Sequence, residues 1–293
     1  MQMKDYQKHE KMRCNIIVVA IMMFVLFLLG SFIGGIVSIL ITKVAHLDEG
    51  KTEIVLSYLT FLGVIILTLL YTRLANKKIW DQFFCGASGN TVKMLLLGLL
   101  SGFLMNSICI VPAYLHGDLR FAPGQISIQW FFLSFVMVFI QASAEELLVR
   151  GYVFLNLRDR YGFWIALTVS SVLFSLLHIA NEGITLLSLA NIAIIGIFYG
   201  FSVHYLDSIW FAMANHAAWN FTQNFVYGLP NSGLSSKLSL LTLASTRNSF
   251  LYDLRFGIEG TIITTIVVSA GALLIFLYSR NRSKALQKRT NPV

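Results

Sequence analysis

Charge is what this sequence has least of: only 12% of its 293 residues are Asp, Glu, Lys or Arg, against 56% hydrophobic residues. So few polar side chains cannot cover a water-soluble globule, and the mean hydropathy of +0.72 places the chain in a bilayer. Cysteine is also scarce. Cys14 and Cys109 sit in apolar runs and Cys85 in a short polar one, with no CxxC pair and no Cys/His cluster at zinc-finger spacing, so neither a disulfide framework nor a structural zinc module is expected. Internal repeats and low-complexity segments are missing as well. The charge that is present sums to +8, but the basic residues gather at the two termini and in short loops, where anionic lipid headgroups meet them. Membrane lipid, and not nucleic acid, is the expected partner of that charge. Lys4, Lys8, Lys11 and Arg13 precede an apolar run too long for the h-region of a cleaved signal peptide, so that run is expected to stay as an anchor.

A spanning helix needs ~20 apolar residues, and candidates occur at 14–43, 53–75, 92–115, 127–156, 163–180, 184–205, 207–228 and 259–279. The fold class read from this pattern is all-α, a polytopic membrane protein of about eight transmembrane helices. An even number of spans puts both termini on one face, and basic residues favour the cytoplasm. Arg73, Lys77, Lys78, Arg158 and Arg160 fall on that same face, while 116–126 on the other holds only Arg120. The connection 229–258 carries Lys237, Arg247 and Arg255 yet is placed outside; it reads equally as an ordered surface loop, an interfacial helix or a flexible lid.

An ionisable group inside hydrocarbon is costly unless paired or watered, so such groups mark functional candidates. Of fourteen acidic residues only Glu145 and Glu146 lie well inside a predicted span, and of six histidines only His178 and His216 do so, His204 being near a helix end. At 1.5 Å rise per residue, Glu145 lies ~16 Å, His178 ~24 Å, His216 ~15 Å and Asn220 ~20 Å from the inner ends of their helices, which points to one shared site at middle depth. Residues four apart share a helix face, so Glu146 can pair with Arg150, and His216 faces the same way as Asn220. Glu145, rotated about 100° from Glu146, is left for the site, with Glu146 and Arg150 in support. A carboxylate beside a water and two imidazoles is equipment for general-base activation of water against a carbonyl, and the Asn220 amide with an imidazole donor can steady an oxyanion. The same groups also occur as glue between helices, as hydrogen-bonded core residues or in proton-coupled transporters, although no paired interrupted helices of the carrier kind are found.

The ordered set Glu145-Glu146-Leu-Leu-Val-Arg150-Gly151, Phe174-Ser-Leu-Leu-His178 and His216-Ala-Ala-Trp-Asn220 resembles the EExxxR, FxxxH and HxxxN motifs of the CPBP family, the CAAX-protease and bacteriocin-processing intramembrane proteases, over roughly residues 127–225. The resemblance implies an intramembrane endopeptidase. Glu145 would be the general base, assisted by His178, with His216 and Asn220 at the oxyanion, Glu146 and Arg150 in support and Phe174 as a packing residue. The substrate it implies is a membrane-associated protein or hydrophobic peptide, and no cofactor is certain. Because the family is described both as metallo- and as glutamate proteases, Zn²⁺ on His178 and His216 is the one metal candidate; the HExxH of another class of membrane zinc protease is absent. A catalytically idle scaffold or immunity protein of the same fold is the alternative, and a proton-coupled transporter a more distant one. The chain then divides into a cytoplasmic basic segment 1–13, N-terminal transmembrane helices 14–120, a catalytic helix bundle 121–228, an extramembrane loop 229–258, and a last helix with basic tail 259–293. A bacterial plasma membrane with both termini cytoplasmic is the expected location. Gly86-Ala87-Ser88-Gly89 matches the GxSG of rhomboid serine proteases, but it precedes HxxxN and lies between spans, so it is read as a turn.

Overall fold

The computed structural model describes residues 15–84 and 86–290, with side chains to 281; the basic segment 1–13, Cys14 and Cys85 lie outside the described residues. Apolar runs bounded by capping residues become helices α1 (Ile16–Val44), α2 (Glu49–Ala75), α4 (Val92–His116), α5 (Ile128–Tyr161), α7 (Leu186–Tyr205) and α9 (Ile262–Thr290), with a short α3 (Lys77–Phe83) at one end of the bundle. Asn15, Asp48, Thr91, Ser127 and Thr185 each turn a side-chain oxygen onto a first-turn N–H of the helix that follows, removing one of the donors a helix start leaves unpaired.

Among the described residues six helices are long and apolar enough to cross a membrane. The other two expected spans are shorter. Segment 163–180 forms α6 (Phe163–Leu176), whose 14 residues reach only ~21 Å at 1.5 Å per residue. Segment 207–228 forms α8 (Ile209–Phe221), which continues as a π-helical stretch Thr222–Val226. Hydropathy registers both, yet α8 is buried along almost its whole length; it is a helix clad in other helices, and a protein environment asks for apolarity without asking for ~20 residues. The expected count of about eight spans is thus not confirmed, and polar pairs tie the helix ends together. At one end Lys78 pairs with Asp159 and the Ser88 hydroxyl donates to Asp207. At the other Lys237 pairs with Glu49, and Asn181 donates to the Ser232 carbonyl.

Connection 229–258 is ordered and adds one small sheet to the mostly helical fold. Its strand β2 (Leu241–Thr246) pairs antiparallel with β1 (Leu119–Pro123), inside the stretch read as a loop between spans. Asp118 staples the sheet to the end of α4, accepting from the Arg247 guanidinium at 2.8 Å and the Ser249 hydroxyl at 2.6 Å.

The helix that carries His216 and Asn220 is seated by glycine. A Cβ on Gly98 or Gly102 of α4 would come within 2.6 Å of the Phe211 carbonyl oxygen or 2.2 Å of the Asn215 carbonyl oxygen. Only bare backbone allows α4 and α8 to approach this closely, the small-xxx-small packing common between membrane helices.

Candidate active site

Residues 141–157 of α5 are buried without interruption, so this helix is the axis of the bundle. Its α-helical ladder widens into a π-helical stretch at Leu147–Phe154 immediately after the two glutamates, a distortion common at functional sites. The 100° step between Glu145 and Glu146 sends them in different directions. Glu146 turns to Arg150, whose Nη1 donates to Oε1 at 3.2 Å, and the same oxygen accepts the His216 Nδ1–H at 3.0 Å. The guanidinium lies 4.1 Å from the centre of the Phe174 ring and 5.3 Å from that of Tyr199, and Tyr199 stacks on the His216 imidazole. Glu146 and Arg150 are both wholly buried. A buried ion pair of this kind orients its neighbours more than it stabilises the fold.

Glu145 faces a cavity of about 130 Å³, lined also by His178, His216 and Asn220 and well above the ~10–15 Å³ needed for one water. The four residues singled out in the sequence therefore border one space, although they come from α5, the end of α6, and α8. Glu145 Oε1 accepts from the Gln141 amide, while Oε2 has no protein partner and lies 3.8 Å from His216 Nε2. That distance is too long for a hydrogen bond. Because the carboxylate of Glu146 can only accept, His216 Nδ1 carries a proton, and Nε2 is the nitrogen turned towards Glu145.

His178 is not on a spanning helix as expected. Helix α6 ends at Leu176, and His178 sits in the turn that follows, its ring against Phe174. Its Nδ1 lies 2.9 Å from the Phe174 carbonyl oxygen, an acceptor only, so Nδ1 is protonated and Nε2 keeps the lone pair in neutral histidine. Asn220 Nδ2 donates to Gln141 Oε1 at 3.1 Å, and its Oδ1 accepts from Asn231 at 3.3 Å.

Of the polar residues of this cavity wall that were not marked by the sequence, three join the hydrogen bonds around Glu145 and Asn220. Gln141 stands four residues before Glu145, a spacing that could have flagged it. Asn231 comes from the loop after α8, and Glu259 from the single 3₁₀ turn Ile258–Gly260 ahead of α9. Glu259 fell at the margin of a predicted span and so escaped a search of span interiors. Burial pushes its carboxyl above the usual carboxylate range, against hydrogen bonds from Ser232 and Trp219 that draw it down.

Zn²⁺ on His178 and His216 fits this arrangement poorly. A zinc site takes three or four protein ligands, and among the described residues no group of three or more His, Cys, Asp or Glu side chains is gathered to hold an ion. The serine of the GxSG sequence is elsewhere: Ser88 sits in an exposed turn, where its N–H and hydroxyl both donate to Asp207.

Residues 127–222, about a third of the chain, match the family model described as type II CAAX prenyl endopeptidase Rce1-like. No curated protein matches the chain significantly. The matched stretch opens at the N-cap of α5 and closes just past Phe221, so it holds Glu145, Glu146, Arg150, His178, His216 and Asn220 but neither Asn231 nor Glu259.

Proposed function

We propose, from the premise that residues 127–222 belong to the CPBP family of CAAX-type membrane proteases, that this integral membrane protein is an endopeptidase in which Glu145 activates water against a peptide bond. The observation that carries the proposal is the unpartnered Oε2 of Glu145 facing His216 Nε2 across 3.8 Å inside a cavity walled by apolar helices. A separation just beyond hydrogen-bond reach is what a bridging water fills.

In this reading Glu145 takes a proton from water as the oxygen attacks the carbonyl carbon. Gln141 holds Oε1 in place, which leaves Oε2 as the basic atom. His178 Nε2, with its lone pair free, assists in orienting the water. The tetrahedral oxyanion is held by the second N–H of the Asn220 amide and by the Nε2–H of a His216 ring that enters and leaves the cycle as the imidazolium, a cation that the Glu146 carboxylate at Nδ1 supports. Collapse breaks the C–N bond, and the proton held by Glu145 passes to the departing amine. The substrate is a membrane-associated protein or hydrophobic peptide, CAAX-like in the sense of the family. In this reading the protein works in a bacterial plasma membrane with its site reached from the cytoplasmic half.

The test is cleavage of membrane-tethered peptide reporters by purified protein in detergent or liposomes, comparing wild type with Glu145→Gln, with and without a chelator. Cleavage is expected in the wild type, is lost by at least about a hundredfold in the variant, and survives the chelator. Cleavage retained by Glu145→Gln sinks the assignment of the base, and sensitivity to the chelator sinks the metal-free scheme.

A further inference from the structure

Glu259 is the one acidic residue of the cavity wall that the proposed reaction does not use. Its two oxygens meet donors only. Oε1 accepts from Trp219 Nε1 at 3.1 Å and Asn231 Nδ2 at 2.7 Å, and Oε2 accepts from the Ser232 N–H at 2.6 Å and the Ser232 hydroxyl at 3.1 Å, with Gln223 at 3.5 Å. Among the described residues it has no basic partner, and it is 3% exposed. A carboxylate saturated by donors has no lone pair to offer a substrate amine or a water, so a recognition or base role is poorly served. It does fix the direction of whatever it accepts from.

The group it fixes leads into the site. Asn231 spends one amide N–H on Glu259 and the other on Asn220 Oδ1; Asn220 then presents its own NH₂ to Gln141 Oε1; Gln141 in turn gives its NH₂ to Glu145. The order of donors and acceptors along this chain allows one arrangement. A side-chain amide is nearly symmetric in shape, and Asn220 turned over by 180° would aim its oxygen at the cavity and repel an oxyanion. Two acceptors bound the chain: Glu145 keeps the Gln141 oxygen turned to Asn220, and Glu259 makes Asn231 a donor towards Asn220 Oδ1, so the outer side of the Asn220 amide is held by Glu259.

We infer that Glu259 is a positioning residue of the proposed protease: through Asn231 it locks the Asn220 amide with its N–H groups towards the reacting carbonyl. The inference rests on the protease reading and extends the working site beyond the stretch that matches the family, since both relay residues come from the segment after α8.

The reporter assay with full-length protein in liposomes tests it by kcat, KM and additivity. Glu259→Gln replaces one oxygen by an NH₂ group that meets donors, so Asn231 can turn its oxygen towards Asn220 and the Asn220 amide loses its outer anchor. Asn231→Ala cuts the relay while keeping Glu259, and covers the case in which Glu259→Gln does not fold. Each is expected to lower kcat about tenfold to a hundredfold with KM changed less than about threefold, the signature of an interaction made in the transition state. In an Asn220→Ala background the same substitutions are expected to lower kcat no further, because what they orient is gone. A solely structural role would instead lower the folded yield alike in the wild-type and Asn220→Ala backgrounds and leave kcat per folded molecule unchanged in the wild-type background. That pattern, or wild-type kcat in Asn231→Ala, overturns the inference while the protease reading stands. If wild type cleaves no reporter, or Glu145→Gln cleaves normally, the protease reading fails and takes this inference with it.

Discussion

Arg150→Met is the sharpest probe of how the site is held. The guanidinium is fully buried, bonded to Glu146 and laid over the Phe174 ring. Methionine fills much of the volume but leaves the Glu146 carboxylate with no cation beside it. Removing one partner of a buried pair costs about 3–5 kcal/mol, and losing the cation–π contact adds ~1–2 kcal/mol. The expected total of about 4–7 kcal/mol is a large share of the ~5–15 kcal/mol typical of a folded domain. Denaturant unfolding in micelles, followed by tryptophan fluorescence, measures it against Leu104→Ala, a change on the bundle's outer face where Leu104 is 46% exposed. Glu146→Leu combined with Arg150→Met removes the stranded charge and leaves one unsatisfied imidazole N–H, worth about 1–3 kcal/mol. The double variant is therefore expected to be more stable than Arg150→Met alone, though inactive. The reasoning is refuted if Arg150→Met lies within about 1 kcal/mol of Leu104→Ala, or if the second substitution adds to the loss.

Two further predictions concern the frame. Gly102→Leu places a side chain where a Cβ already meets the Asn215 carbonyl oxygen at 2.2 Å; α4 and α8 are expected to part and the folded yield to collapse, whereas Gly35→Leu, where a Cβ meets nothing, is expected to fold normally in the same expression assay. Asp118, held to a pKa of about 2 by hydrogen bonds from Ser249 and Arg247, has a folded pKa below its unfolded one. Its contribution is complete above the unfolded value of 3.8 and is lost as pH falls towards 2. The protection factors of amides across Leu241–Thr246, corrected for the intrinsic pH dependence of exchange, are expected to fall over that window in the wild type and to be low at every pH in Asp118→Asn; wild-type protection factors that ignore pH would refute the staple.

Glu145, Glu146, His216 and Asn220 were legible in the sequence because polar groups are rare and expensive within apolar runs, and spacing of four fixed which of them share a face. The same logic failed for His178 in detail: its apolar surroundings read as helix to residue 180, while the backbone turns after Leu176 and the depth argument built on a continuous helix does not apply to it. Hydropathy likewise could not separate a helix buried in protein from one in lipid, so α6 and α8 were expected longer than they are. Asn231 and Glu259 were beyond reach for another reason. Their importance comes from contacts across long stretches of chain, with Asn220, Trp219 and Ser232, and nothing local marks a loop asparagine that will meet them. Strands β1 and β2 are short and find each other only because α4 and α8 bring their ends together.

The π-helical stretch Leu147–Phe154 bears on how such a site arises and drifts. A widened turn of this kind is equivalent to one residue more than a regular helix would hold. Deleting a single residue there would restore the regular ladder, and the helix would gain in regularity. The same deletion would turn everything on one side of it by about 100° relative to the other, parting Arg150 and its neighbours from Glu146. One residue therefore separates a more regular helix from the one in which Arg150 reaches Glu146.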